Sequence, residues 1–445
     1  GSASRLCSPT WHPCRTDAPL FGWLLDVRWW LLDVRWWLLD VRRRLLVSKI
    51  LITRHKKNMI ARISILIFLV ILLPEAYIYK VHLHCRGPMS RVKKLLWWIP
   101  AVVLSVYTIA LCCIPDFAPS DQLWLNLFLL LFGLFAAPKF VFMLCSLIGL
   151  GVKRGFGLHR NYGTLMGISL SVVIVVAVLY GSFFGVRRLE VKHVEIEFSD
   201  LPEAFDGYRI VHISDLHVGS IPHDLLERAV DSINVAHADA VMMTGDIQNM
   251  QPSELLPFAS LLSKIKAKDG VFAVRGNHDY SIYVSGTDSL KAANEQQLVS
   301  LERSFGWQLL LNDHRVLCRG NDSIVVAGEE NVGRPPFPMK GDLKKTLRGV
   351  SASSFVVLMQ HDPWAWEEQI LPHSKVQLTL SGHTHGGQVE LMGFRPTQFN
   401  NREDCGLYRR GERSLFVSSG LGGFAPFRLG VYPEIVVISL KVKRK

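Results

Sequence analysis

Four long apolar runs dominate the chain between residues 59 and 185. The first, Ile60–Ile78, is interrupted only by Arg62, Pro74 and Glu75. The second, Leu95–Ile114, opens with Trp97 and Trp98, residues suited to a membrane interface. The third, Leu123–Leu150, carries Pro138 and Lys139 in its middle, and the fourth is Tyr162–Phe184. A helix of ~20 residues crosses ~30 Å of hydrocarbon, and each run approaches or exceeds that length. Buried core helices are the competing reading, but short charged loops separate the four runs and favour membrane helices. The third run is expected either to kink or to turn Lys139 toward a polar bundle interior.

The pattern changes after Phe184. Arg187–Phe198 alternates apolar and polar residues as a half-buried strand does. Short apolar strands then alternate with helical stretches. Strands are expected at Tyr208–Ile213, Ala240–Met243, Val271–Val274, Ser323–Ala327, Phe355–Met359, Val376–Leu380, Leu415–Val417 and Ile435–Lys441. Helices are expected at Asp224–Ala236 and Glu254–Ile265. This is an α/β pattern, and about 260 residues suffice for a full core.

Residues before Met59 have a different texture. WLLDVRW occupies Trp23–Trp29, repeats at Trp30–Trp36 and begins again at Trp37–Arg42. Asp and Arg recur in each copy, so the stretch does not cross a bilayer cheaply, and three copies are few for a coiled coil. It is read as a non-native or disordered extension. The expected organisation is therefore an extension over 1–58, a membrane domain of about four helices over 59–185 and an α/β domain over 186–445.

Composition agrees with that division. Hydrophobic residues make up 49% of the chain and charged residues 20%, too apolar for one soluble enzyme of this length. The formal net charge is +12, and much of it flanks the apolar runs at Lys93, Lys94, Lys153 and Arg154. A membrane surface is thus the expected partner of the basic residues, and no basic stripe interleaved with aromatics points to nucleic acid. The 8 cysteines show no CxxC spacing, which argues against a zinc knuckle or a disulfide framework.

Five short motifs follow predicted strands: Asp215-Leu216-His217, Gly245-Asp246, Gly276-Asn277-His278-Asp279, His361 and Gly382-His383-Thr384-His385. Ligands gather at the carboxyl ends of strands in open α/β sheets, so the five motifs could converge. Asp215-x-His217 and His383-x-His385 each place two side chains on one face, because strand side chains alternate. The set supplies carboxylate and amide oxygens and imidazole nitrogens without thiolate, which fits Mn, Fe, Zn or Co rather than an iron–sulfur cluster. Asp215, His217, Asp246, Asn277, His361, His383 and His385 are too many for one tetrahedral zinc and suit two divalent ions sharing a carboxylate. Two such ions against two aspartates leave a cationic site, matched to a phosphate substrate.

These motifs, in this order, resemble the signature of the calcineurin-like metallophosphoesterases over about Tyr208 to Leu440. The ending resembles the bacterial membrane-associated branch, with GHTHGGQ, then Tyr408 to Gly411, Ser419 to Arg428 and a last strand from Glu434. The resemblance implies a four-layer fold of two mixed β-sheets packed face to face with helices outside. It implies a first metal held by Asp215, His217, Asp246 and His385, and a second held by Asp246, Asn277, His361 and His383. His278 would contact the phosphate and protonate the leaving oxygen, with Asp279 holding its ring by a hydrogen bond.

The leading reading is a membrane-anchored, two-metal hydrolase of a phosphodiester, monoester or pyrophosphate, lipid-linked substrates included, acting by in-line attack of a metal-activated hydroxide. The alternatives are a scaffold that uses the fold for protein interaction, with or without metal, and helices that are themselves the functional part. His193, His212, His223, His237, His314 and His373 are read as ordinary structural residues, with His212 facing away from Asp215. Gly386-Gly387-Gln388 is equally a phosphate cradle or a turn. Arg428 is read as pairing with a structural carboxylate in preference to substrate, Asp362 as a turn residue, and Trp364 and Trp366 as core.

Loop charge suggests an orientation. Lys80, Arg86, Arg91, Lys93 and Lys94 lie between the first two spans and Lys153, Arg154 and Arg160 between the last two, whereas Asp116 and Asp121 lie between the second and third. Basic short loops stay cytoplasmic, which places the catalytic domain outside a bacterial inner membrane. Arg187, Arg188 and Lys192, and Arg42–Arg44 and Lys56–Lys57 if the extension is native, argue the other way.

Overall fold

The computed structural model describes residues 58–84, 87 and 89–444. The repeats of the extension, its basic residues and Arg86 lie outside the described residues. The described chain falls into two units. One ends at Pro115 and resumes over Phe135–Ser171, and the other takes Asp116–Leu134 and Val172–Lys445.

The apolar runs are helical: α1 (Met59–Ile78), α2 (Arg91–Cys112), α3 (Gln122–Leu131), α4 (Ala137–Gly155) and α5 (Tyr162–Phe183). α3 continues into α4 through a π turn at Phe132–Ala136, so these two form one run. Pro138 sits just inside α4, and the turn before it absorbs the hydrogen bond that proline cannot make. Among the described residues, four helical stretches are long and apolar enough to cross a membrane.

Within the first unit, polar side chains face inward. Asn58, which the sequence reading leaves in the extension, caps α1 by accepting from the Ala61 amide and donates to the Leu111 and Ile114 carbonyls at 2.9 Å each. Lys139 Nζ lies 2.6 Å from Glu75 Oε2 and 4.4 Å from the centre of the Trp97 ring. The mid-span lysine thus faces the bundle interior, as one of the two expectations had it. Ser146 accepts from Tyr77, and its carbonyl accepts from Asn161. α4 and α5 touch backbone to backbone, since a Cβ on Gly149 would come within 2.5 Å of Gly163 Cα. Ile65, Leu95, Val102 and Val106 remain exposed on the outer faces, as lipid-facing residues do.

The second unit contains two six-stranded sheets. The first has the order β1-β12-β2-β3-β4-β5 and the second β10-β11-β9-β8-β7-β6. In the first, β2 (Arg209–Ile213), β3 (Ala240–Met243), β4 (Gly270–Ala273) and β5 (Gln308–Leu309) run parallel. β12 (Glu434–Val442) runs antiparallel to β2 and parallel to β1 (Glu190–Phe198). In the second sheet, β7 (Asp322–Gly328), β8 (Phe355–Met359), β9 (Leu378–Ser381) and β11 (Arg413–Val417) are parallel neighbours. They are flanked by antiparallel β6 (Asp313–Arg319) and β10 (Gly406–Arg410). Both sheets are mixed, as expected.

Strand alternation builds the layers. Ile210, Met242 and Phe272 of the first sheet share one core with Ile324, Val357 and Leu380 of the second, so the sheets pack face to face. The alternate residues Val211, Val241 and Ala273 face outward onto Leu225, Ala229 and Ile233 of α6 (His223–Val235) and Leu298 of α7 (Asp288–Ser304). On the far side, Val325, Val356 and Leu358 pack on Leu343, Trp366 and Ile370. That outer layer is made of short helical turns in place of long helices. The predicted helix Glu254–Ile265 is a 3₁₀ segment, Pro252–Phe258, followed by one turn at Ala259–Leu262, because Pro257 withholds an amide inside it.

Candidate metal centre

Each sequence motif lies just beyond the carboxyl end of a strand. Asp215 and His217 follow β2, Asp246 follows β3, Asn277 and His278 follow β4, His361 follows β8, and His383 and His385 follow β9. β2, β3 and β4 belong to one sheet and β8 and β9 to the other, so the two sheets deliver ligands from both sides. Five of these residues leave their strands with a left-handed backbone: Asp215, His217, Asp246, His383 and His385, with φ of 52°, 45°, 57°, 71° and 52°. Residues with a Cβ pay for that conformation, and it is held here by packing. Gly276 and Gly382 make the turns possible. A Cβ on either would come within 2.2 Å of an oxygen of Asp246 or Asp215.

The donor atoms form three overlapping groups: Asp215, His217 and His385; His217, Asp246 and His278; and Asp246, His361 and His383. Asp246 is central. Its Oδ2 lies 3.7 Å from His217 Nε2 and 3.3 Å from His361 Nε2. His385 Nε2 stands 3.5 Å from Asp215 Oδ1, and His361 Nε2 stands 3.2 Å from Asn277 Oδ1. All seven expected ligands are therefore brought together.

Their partners orient them. His217 Nδ1 pairs with Asn249 Oδ1 at 3.0 Å, and His361 Nδ1 with the Thr244 carbonyl at 2.8 Å. Both arrangements turn Nε2 toward Asp246. His217 Nε2 is buried without a hydrogen-bond partner, as a nitrogen awaiting a metal would be. Burial pushes the His217 imidazole down to about 3 and so keeps it neutral, the form that ligates. Burial also opposes charge on His361, but the adjacent Asp246 carboxylate overrides it and lifts that imidazole to about 10. Burial likewise opposes ionisation of Asp246, and the surrounding imidazoles of His361, His278 and His217 hold it well below the usual carboxylate range.

One expected contact is corrected. Asp279 does not hold the His278 ring: its carboxylate accepts the amides of Asp246 at 2.7 Å, Ile247 at 3.1 Å and Gly276 at 2.8 Å. The ring's Nδ1 instead lies 2.5 Å from the Asn249 carbonyl. Burial and the Asp246 charge push Asp279 up to about 7, against the pull of those amides. Asp279 thus clamps the two loops that carry Asp246 and Asn277.

Sequence reasoning missed Asn249 and Glu254. Asn249 serves His217 with its side chain and His278 with its carbonyl. Glu254 fixes this segment by accepting the amides of Asn249 at 2.6 Å and Met250 at 3.0 Å. The only available signal was position, since Asn249 follows Asp246 by three residues on the same turn.

The remaining expectations sort cleanly. His212 is buried away from the cluster, with Nε2 2.9 Å from Thr244 Oγ1. Arg428 is buried and, among the described residues, forms no ion pair with a carboxylate: it donates to the carbonyls of Gly420, Gly422 and His385. Gly386 and Gly387 have φ of 55° and 65° and form a turn packed on Val431 and Thr397. Asp362 caps the Trp364 amide, and Trp366 is core.

A two-sheet α/β domain with this donor set, carried on apolar helices, is a membrane metallophosphoesterase with candidate His/Asp metal sites. Comparison with known proteins agrees. The family described as "Calcineurin-like phosphoesterase" matches residues 208–387, and "Probable Calcineurin-like phosphoesterase, transmembrane domain" matches residues 61–186. The uncharacterized metallophosphoesterase YkuE of Bacillus subtilis is 30% identical over 275 residues, covering 59% of this chain and 89% of its own. A Campylobacter jejuni relative, the uncharacterized metallophosphoesterase Cj0846, is 26% identical over 393 residues, covering 86% and 98%. The "Transmembrane protein with metallophosphoesterase domain" of Danio rerio is 30% identical over 282 residues, covering 61% of each chain, so this chain spans less than two thirds of that relative. The chain belongs to the calcineurin-like metallophosphoesterases and is a multi-pass membrane member of that family.

Proposed function

We propose that this protein hydrolyses a phosphate ester at a two-metal centre on the extracytoplasmic side of a bacterial inner membrane. The observation that carries the proposal is the single carboxylate of Asp246 standing between two imidazoles, 3.7 Å from His217 and 3.3 Å from His361. The donors fit two divalent ions. Asp215, His217, Asp246 and His385 would hold one, and Asp246, Asn277, His361 and His383 the other, with Mn, Fe or Zn compatible with mixed oxygen and nitrogen ligands. Bound ions would supply Lewis acidity toward the phosphoryl oxygens and acidify the attacking water.

His278 is the proton donor to the leaving oxygen. Its Nδ1 is engaged by the Asn249 carbonyl, which leaves Nε2 for the substrate. Its backbone amide donates to Asp246 Oδ1 at 2.8 Å, so the donor and the shared carboxylate keep a fixed relation.

The orientation rests on the basic loops at Lys93, Lys94, Lys153 and Arg154 and on the acidic Asp116 and Asp121. The Asp116 carboxylate accepts the Ser285 amide at 2.5 Å. The loop between the second and third spans therefore shares a side with the catalytic residues, as two intervening crossings require.

The test is metal analysis of the purified full chain, followed by assay with manganese against phosphomonoesters, phosphodiesters and pyrophosphates. About two ions per chain and chelator-sensitive hydrolysis are expected. Hydrolysis that persists after exhaustive chelation would refute the proposal.

A further inference from the structure

Three half-buried aromatic side chains stand together beside His278. The Tyr283 ring centre lies 4.3 Å from that of His278 and the Phe424 ring centre 5.7 Å. Phe117 joins them, 4.8 Å from Tyr283 and 5.7 Å from Phe424. Tyr283 is tied into the donor set, because its hydroxyl accepts from Asn277 Nδ2 at 2.8 Å. The three side chains of this wall are aromatic and uncharged, and they stand next to the proton donor.

Phe117 is not part of the α/β fold. It belongs to the loop that leads into α3, five residues before Gln122. Its amide donates to the Tyr283 carbonyl at 3.0 Å, and Gln122 Nε2 reaches Met250 Sδ at 3.7 Å. Five residues of chain span at most ~17 Å, so the wall stands within that distance of the first turn of α3.

A second segment links the centre to α5. Arg428 donates to the His385 carbonyl at 3.4 Å, and its own amide donates to the Gly181 carbonyl at 3.2 Å. The Phe427 ring packs so closely on Gly181 that a Cβ there would come within 2.4 Å of it. One residue thus separates a candidate metal ligand from a membrane helix. The centre is thus tied by hydrogen bonds and packing to the ends of α3 and α5, two apolar helices.

Resting on the phosphoesterase reading, we infer that Phe117, Tyr283 and Phe424 form the leaving-group subsite and that the substrate is an amphiphilic phosphate ester whose apolar side is the departing alcohol. The first carbons of that alcohol lie on the aromatic wall. The bond between phosphorus and its oxygen breaks, the oxygen of water bonds to phosphorus, and the proton on His278 passes to the departing alkoxide. The second proton of water restores His278. The alcohol stays in the bilayer and the phosphate leaves to water.

A series of n-alkyl phosphates and methyl n-alkyl phosphodiesters, from ethyl to dodecyl, tests this with the full-length protein in detergent and manganese, each ester below its micellar concentration. For wild type, kcat/KM should rise with chain length by up to about fourfold per methylene over the first few carbons, the fold-change equivalent of ~0.8 kcal/mol. Phe117→Ala and Phe424→Ala should each flatten that slope, while Phe117→Leu should keep most of it. An active wild type indifferent to chain length, or a slope unchanged in both alanine variants, overturns the inference and leaves the phosphoesterase reading standing. No hydrolysis of any ester or pyrophosphate by metal-loaded wild type overturns both.

Discussion

The backbone amide of His278 donates to Oδ1 of Asp246 over 2.8 Å, while Oδ2 of the same carboxylate faces His361 at 3.3 Å and His217 at 3.7 Å. One side chain therefore joins both halves of the donor set and positions the proton donor. Asp246→Asn keeps the shape but replaces one oxygen with a group that cannot ligate. Both ions should be lost or weakened together, with turnover lowered by on the order of 100-fold or more. Elemental analysis beside a hydrolysis assay checks this, and a variant that retains two ions and normal turnover contradicts it.

Asn249 supports the same centre from behind. Its side-chain oxygen orients His217, whereas its contact with His278 is made by the main chain and survives substitution. Asn249→Ala should lower metal affinity by roughly 10–100-fold, the usual effect of removing a partner behind a ligand. Manganese titration reads this directly, and an unchanged binding curve would remove Asn249 from the role.

His278 and Asp279 are neighbours with separable functions. His278→Ala should lower turnover by roughly 10²–10⁴ for alkoxide leaving groups and much less for nitrophenolate, which needs little protonation. Asp279→Asn should act on the fold, because the carboxylate accepts four backbone amides and a charge-assisted bond contributes about 1.5–3 kcal/mol. A lower melting temperature and lost metal are expected, with no leaving-group dependence. The reverse pattern, a stable Asp279→Asn protein with a leaving-group effect, would restore Asp279 to the proton donor.

Glu329, whose donor Gln360 adjoins the candidate ligand His361, gives the protein a pH-dependent weak point. It is fully buried, and burial lifts its carboxyl to about 7 despite donors from Gln360 and Gln369. The raised value means that the folded state holds the proton more tightly than the unfolded chain. Its contribution is fully present below pH 4.5, declines as pH rises to about 7, and is absent above that. The loss is on the order of 3 kcal/mol. Glu329→Gln should flatten the fall in melting temperature between those pH values, and an unchanged slope would count against this account.

The ligands were legible because each motif combines a strand end with a residue type that seldom gathers by chance, as in Asp215-x-His217 and His383-x-His385. Their left-handed backbones were not legible, since a Cβ-bearing residue gives no sign of a strained turn until its neighbours are seen. Asn249 was invisible because half of its work is done by a carbonyl, which every residue possesses. The helix Asp288–Ser304 was missed because only Leu298 and Glu302 along it are buried, too sparse a stripe to register as a period. β6 and β10 were missed for a related reason: both are edge strands with half-wet faces, so alternation is faint.

The ion pair between Glu75 and Lys139 has a consequence for how the chain is made. A lone carboxylate or ammonium at mid-bilayer costs about 2.5–3.5 kcal/mol on insertion scales. Glu75 emerges from the ribosome 64 residues before Lys139, so α1 is made before the lysine it pairs with. The apolar residues of the first span, long and apolar enough to cross a membrane, offset a penalty of that size, so α1 can enter lipid first and the pair forms when α4 delivers Lys139. A chain truncated between the two helices would leave the Glu75 carboxylate in the membrane without the ammonium that neutralises it in the full protein.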